Sequence, residues 1–518
     1  MLFKSTALLA VALVPLLPSA APALAQDSPT PQAPSETAAL EASVVEHRLD
    51  NGWTFLLLPR EGAPVASFHT YIDVGGIYED DGAVGMAHMF EHMAFKGSDR
   101  IGTNDWETES ELLDEVERAY QAYEAAKGVA DEGELASLRS RFEKAQAAAA
   151  VPIASEEFTR LLEEAGGSTT LNASTSAEET RYMVSLPSNR IELWCWLERE
   201  RFNKPVLREF YKEREAVKEE RRMRVDSSPF GALLESLYAT AFTTHPYRRP
   251  VIGYAEDLDH FSRTEAEAFY AKHYGVRRFV TSIVGDIDPE TLVPMLERYF
   301  GDLPAGPEPT SVDVEEPEQT EQRRVEVEFP AMPILMMAWH IPAMSATDYP
   351  ALEIGLYTFA MAQTSRLETS LVRTSGIAAQ VGAATGLPGD RHPNLALIYG
   401  LPNAGAGLDD LESAVDVELA SFLESGPTEA ELEAARTVTR AGLLRSLRDD
   451  SELAAQLCEW QSKSGDWRNL FRRNAQYGAV TADEVRSAME RYLQPTGRTV
   501  ATLVPPAPQP DAQPTEEQ

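Results

Sequence analysis

Two imidazoles four residues apart, His88 and His92, flank a carboxylate, Glu91, in the run Met86-Ala-His-Met-Phe-Glu-His-Met93. On a helix, positions i and i+4 lie one above the other on a single face, so both rings can grip one ion. The carboxylate at i+3 comes to the same side, where it can take a proton from water. H-x-x-E-H is the inverse of the metal-binding pattern H-E-x-x-H. A catalytic zinc site takes three protein ligands and leaves one position open. Phe210 to Met223 offers Glu213, Glu215, Glu219 and Glu220 for the third. Glu213 and Glu220 are two turns apart on one face, so one could bind the ion while the other steadies a ligand from behind. Residue chemistry does not choose among these carboxylates. The chain's two cysteines, Cys195 and Cys458, are too few for a disulfide scaffold or a cysteine-based structural zinc site, and read as buried thiols.

The elements that must hold these residues alternate between strand and helix from Val44 onward. His47 to Leu58 reads as a hairpin turning at Asp50-Asn51-Gly52, Val65 to Val74 as a strand, and Gly85 as the start of the helix carrying the histidines. Residues 107–158 are rich in Glu, Ala, Leu and Arg at helical spacing and read as a helical hairpin inserted into a loop. A faint internal repeat pairs Thr264 to Tyr274 and the strand after it with Thr481 to Tyr492 and the strand after that. Likewise Ile334 to Ala343 matches the Val65 strand. The expectation is an α+β chain of two homologous α/β-roll domains related by duplication, each a mixed or antiparallel sheet covered by helices. The first would span 44–303 with the insertion inside it, and the second 323–505, joined by a Pro/Glu-rich linker over 304–322.

The chain has 518 residues, 82 of them acidic against 46 basic, for a net charge of −36. Such a surface repels phosphate backbones, and nucleic acid is excluded as an expected partner. Residues 1–25 read as a signal peptide: Lys4, an apolar run from Ala7 to Leu17, then Ala23-Leu24-Ala25, with cleavage after Ala25 and export to a periplasm. No cysteine near that point offers a lipid anchor, and no later run is long enough to span a bilayer, so no stable membrane anchor is expected. Residues 26–43 and 506–518 have the composition of flexible segments.

H-x-x-E-H followed by Glu213-Arg-Glu-Ala-Val-Lys-Glu-Glu220 resembles the pitrilysin and mitochondrial-processing-peptidase family of zinc metallopeptidases. The likeness extends through Leu49-Asp-Asn-Gly52, Gly166-Gly167, Asn172-Ala-Ser-Thr175, His245-Pro-Tyr-Arg-Arg-Pro-Val-Ile-Gly253 and Val284-Gly-Asp-Ile-Asp288. It implies one Zn2+ per chain held by His88, His92 and Glu220, with Glu91 as general base and Glu213 as a supporting catalytic carboxylate. It also explains why the interval between His92 and Glu220 is longer than usual: the excess matches the inserted hairpin. The implied activity is endopeptidase hydrolysis of peptides or unfolded polypeptides. Substrate would lie extended along Asn172, Ala173 and Thr175.

The departure is in the second domain. Family members hold the substrate carbonyl with an Arg and a Tyr there or in a partner subunit; here Arg373 remains, but the Tyr position is Ala379. The counterpart helix from Tyr349 to Ala360 also has no histidine pair. The resemblance therefore implies the catalytic subunit of a two-subunit peptidase. Its partner would be a related subunit lacking the metal site, giving a heterodimer; a homodimer is the competing assembly. The competing function is a non-catalytic assembly or scaffold subunit of the same fold, against which the retained Glu91 argues.

Overall fold

The computed structural model describes residues 36–507. The expected signal peptide and nearly all of the expected C-terminal tail lie outside them. Of the segment 26–43, expected to be flexible, Glu36–Ser43 instead forms a helix. The reason is apolar: Leu40 and Val44 pack against the core of the second half.

Among the described residues, eleven strands form two sheets that repeat one topology. In the first sheet β1 (Val45–Arg48), β2 (Thr54–Pro59), β3 (Val65–Ile72), β4 (Asn172–Thr175), β5 (Thr180–Pro187) and β6 (Phe279–Gly285) run in the order β1-β2-β6-β3-β5-β4. In the second β7 (Arg323–Glu328), β8 (Ile334–Ile341), β9 (Ala378–Leu387), β10 (Asn394–Pro402) and β11 (Arg498–Val504) run β7-β11-β8-β10-β9. β2 pairs parallel with β6, and every other pair in the first sheet is antiparallel. In the second sheet β7–β11 is the parallel pair and the rest are antiparallel. β2, β6, β3, β5 and β4 thus correspond to β7, β11, β8, β10 and β9, with β1 an addition. The repeated sequence segments lie at corresponding places: Arg263–His273 precedes β6 and Ala482–Tyr492 precedes β11.

One face of the first sheet buries Trp53 among Phe55, Phe202, Phe279 and Phe300, with its indole N–H donated to Thr281 Oγ1 at 3.0 Å. The other face is covered from the second half. Asp450–Ser464 lies across β3 and β6, and its Leu453 and Leu457 share a core with Leu56, Leu58 and Val284. The exchange is mutual, because Pro229–Ala241 of the first half packs Leu233 and Leu237 against Met336, Ala501 and Leu503 of the second sheet. The stretch 304–322 separates the sheets in sequence, but each half completes the other's core.

The inserted hairpin is two antiparallel helices, Trp106–Ala126 and Glu132–Ala149, capped by Asp105 and Asp131. The hairpin packs Tyr120 and Phe142 on Tyr211, at the start of the helix Phe210–Arg221 that carries the candidate carboxylates.

Candidate metal centre

The histidine helix, Met86–Met93, starts at Gly85 with φ 105°, a left-handed conformation beside Gly253 where a Cβ would stand 2.7 Å from the Gly253 Cα. The Glu79 carboxylate accepts the Gly85 and Ala87 N–H groups at 2.9 and 2.8 Å, satisfying two of the donors that a helix start leaves open. Helical spacing then sets the His88 and His92 rings 5.0 Å apart. The carboxylate helix enters through Glu209 at φ 57°, one of two non-glycine residues with positive φ among the described residues, and ends in a wide turn over Arg222–Asp226.

These two helices bring Glu220 to the histidine pair. His92 Nε2 stands 3.3 Å from Glu220 Oε2, and His88 Nε2 stands 3.8 Å from Glu220 Oε1. One donor atom from each of His88, His92 and Glu220 lies within 4.8 Å of the others, and among the described residues no second group of three such ligands occurs. On the far side of the His92 ring, Glu213 Oε2 is 3.6 Å from Nδ1, and Lys96 Nζ donates to Glu213 Oε1 at 2.6 Å. Arg224 Nη2 is 2.9 Å from Glu220 Oε1.

The residues present fit a zinc ion. Ligand atoms on tetrahedral zinc stand about 3.3 Å apart, close to the 3.3 and 3.8 Å found here. Both Nε2 atoms face one carboxylate. Burial, reinforced by the neighbouring His92, pulls the His88 pKa down to about 3, so this ring is a neutral imidazole with a lone pair to give. Burial works against the charge on Glu220, but His92, His88 and Arg224 outweigh it and hold that carboxyl at about 2. Burial likewise opposes a charged His92, yet Glu213 and Glu220 raise it to about 9. A carboxylate behind a ligating histidine is the usual way of fixing its tautomer and orientation.

Glu91, buried, feels the charges of His92 and Glu220. Thr175 on β4 donates its hydroxyl to Glu91 Oε2 at 2.7 Å. Burial raises the Glu91 pKa, with the Thr175 hydrogen bond and His92 opposing. Asn172 and Ala173 lie on the same strand, which pairs with β5 on one side and forms the edge of the sheet on the other. Arg373 is engaged within its own segment, donating to the Gln363 carbonyl at 2.6 Å with Glu368 3.3 Å away, and Ala379 follows on β9. Sequence reasoning passed over Lys96 and Arg224. Both sit four residues after a site residue, His92 and Glu220, so the i, i+4 spacing was the signal that could have found them.

Family models match both halves of the chain. "Insulinase (Peptidase family M16)" covers residues 55–126 and 152–254, leaving out the tip of the hairpin and the whole of its second helix, and "Peptidase M16 inactive domain" covers 260–439. The zinc protease PqqE of Helicobacter pylori is 25% identical over 356 residues, covering 67% of this chain and 79% of that protein. The mitochondrial-processing peptidase subunit beta of Lentinula edodes is 23% identical over 457 residues, 86% of each chain. Among solved structures, a protease from Helicobacter pylori superposes with a TM-score of 0.74 at 21% identity, over 89% of this chain and 99% of that one. With matched models running through both duplicated halves, on a fold that superposes nearly whole, the chain belongs to the M16 family of zinc-protease-like proteins, the pitrilysin-like group.

Proposed function

We propose that this chain is an exported zinc metalloendopeptidase acting on extended peptides or unfolded polypeptides. The observation that carries this reading is the convergence of His88, His92 and Glu220 around one point with the Glu91 carboxylate beside it. A zinc ion bound there supplies Lewis acidity, lowering the pKa of water toward ~7 and polarising a peptide carbonyl. Glu91, with its affinity for a proton raised by burial, takes the proton from the attacking water and returns it to the leaving amine. Thr175 fixes which way the Glu91 carboxylate faces, and Glu213, itself held by Lys96, fixes the His92 ring. A peptide adds to the free edge of β4 by main-chain hydrogen bonds, with Asn172, Ala173 and Thr175 under it. Arg373 would reach a substrate carbonyl only after leaving Gln363 and Glu368. The chain is the metal-bearing subunit of a heterodimer with a related subunit lacking the metal site, or of a homodimer. The apolar segment up to Ala25 supports export, and no helix among the described residues is long and apolar enough to cross a membrane.

The test is metal content and cleavage of a quenched peptide library by the wild type and by Glu91→Gln. The expected result is about one zinc per chain in both and turnover reduced by about 10²–10⁴ in the variant. Equal turnover removes Glu91 from the chemistry, and a wild type that holds no zinc removes the metal reading.

A further inference from the structure

Arg208, just ahead of the carboxylate helix, is among the largest fully buried side chains although it is a cation, and its hydrogen bonds reach neither an expected ligand nor the base. Its guanidinium fills a closed socket. Nε donates to Glu109 Oε1 at 2.7 Å, Nη1 to the carbonyls of Lys96 and Ile101 (2.9 Å to Ile101), and Nη2 to the Ser98 carbonyl at 2.7 Å. Glu109, equally buried, belongs to the first helix of the inserted hairpin. The three carbonyls belong to the turn Lys96–Gly102, which leaves the end of the histidine helix. That turn is shaped to admit the guanidinium: Gly97 and Gly102 have φ of 85° and 89°, and a Cβ on Gly102 would stand 2.7 Å from Arg208 Nη1. Fixing the backbone of Lys96 fixes where its side chain starts. Its ammonium bridges Glu209, 3.3 Å away, and Glu213, 2.6 Å away, and Glu213 backs His92.

We propose that the root of the inserted hairpin is a positioning element of the metal centre: Glu109 and Arg208 lock the Lys96–Gly102 turn so that Lys96 holds Glu213 against His92. This rests on the zinc reading above. A carboxylate that orients a ligating imidazole sets metal affinity, and loss of such an outer partner weakens binding by about 10–100-fold. The hairpin would thereby act on a bound ion through a chain of contacts that begins at Glu109.

Two variants of the full chain test this, with zinc affinity measured by competition against a chelator of known strength. Glu109→Leu combined with Arg208→Met removes both buried charges together, so that neither is left unpaired, but it also takes the donor from the carbonyls of Lys96, Ser98 and Ile101. Lys96→Met breaks the relay at its other end and keeps the aliphatic stem. The expected result is zinc dissociation constants raised about 10–100-fold in both, with the thermal midpoint of the metal-free chain unchanged in Lys96→Met and lowered in the double variant, whose three carbonyls lose their donor. A role in folding alone would lower the midpoint of the double variant and leave the zinc constant of both variants where it was. Wild-type zinc affinity in Lys96→Met and in the folded double variant overturns the proposal while the zinc reading stands. If the double variant does not fold, Lys96→Met alone decides. A wild-type chain without measurable zinc affinity overturns both readings at once.

Discussion

Thr175 Oγ1 donates a 2.7 Å hydrogen bond to Glu91 Oε2, tying an edge strand of the first sheet to the helix that carries the histidines. The residue expected from sequence to lie under the substrate thus also holds the carboxylate expected to move the proton. A peptide pairing with β4 would form its hydrogen bonds on the same strand that orients Glu91.

Removing that hydroxyl should impair turnover more than metal binding. A hydrogen bond to a buried charged group contributes about 1.5–3 kcal/mol, so Thr175→Val is expected to lower kcat about 10–100-fold. Zinc content should match the wild type, since Thr175 is not among the converging ligands. Steady-state kinetics with metal analysis on the same sample checks this. A loss of zinc in parallel with activity would place Thr175 in the ligand scaffold instead.

His69 makes stability depend on pH. It sits buried on β3 beside Ser451, its Nε2 2.8 Å from Ser451 Oγ, and burial, helped by Arg181 and opposed by Asp449, lowers its pKa to about 4. The unfolded chain takes up the proton near 6.5, so between pH 6.5 and about 4 it binds more protons than the folded chain. The contribution of His69 is therefore intact above pH 6.5 and is lost as pH falls toward 4, about 3 kcal/mol in all. His69→Gln cannot titrate, and its urea midpoint should fall less than the wild type's between pH 7 and 4. Parallel declines would show that other groups set the acid limit.

The exchanged helices should make unfolding a single event. Leu457, fully buried, lies on the helix from the second half that covers the first sheet. Leu457→Ala should destabilise the chain by about 2–5 kcal/mol. Calorimetry should show one transition moving as a whole, together with the fluorescence of Trp194, which stacks on Phe68 with ring centroids 4.4 Å apart. Two transitions of which only one moves would mean that the halves melt separately.

Features that depend on local spacing were legible in the sequence. The i, i+4 histidines needed only a helix to face the same way, the Asp50-Asn51-Gly52 turn lies between β1 and β2, and the repeated Thr264 and Thr481 segments lie at matching places in two sheets of one topology. Glu220 could not be told from Glu213 by residue chemistry, because both lie on one face of the same helix. Only the resemblance separated them, and in the structure Glu220 faces both rings while Glu213 stands behind one. The helix exchange was hidden for another reason. An amphipathic pattern tells that a helix has a sheet to cover, not which sheet, and Asp450–Ser464 reads equally well against either. The Thr175–Glu91 bond joins residues 84 apart with the whole hairpin between them, a proximity no local pattern encodes. Glu36–Ser43 departs from expectation because Leu40, with Val44 just past the helix, packs against the core of the second half.

The mutual loan of helices also bears on what a cut in the chain would do. Severing the polypeptide between Leu303 and Arg323 would not yield two separable pieces: each fragment would keep hold of the other through the helix it has contributed, and the nicked molecule would travel as one particle until denatured.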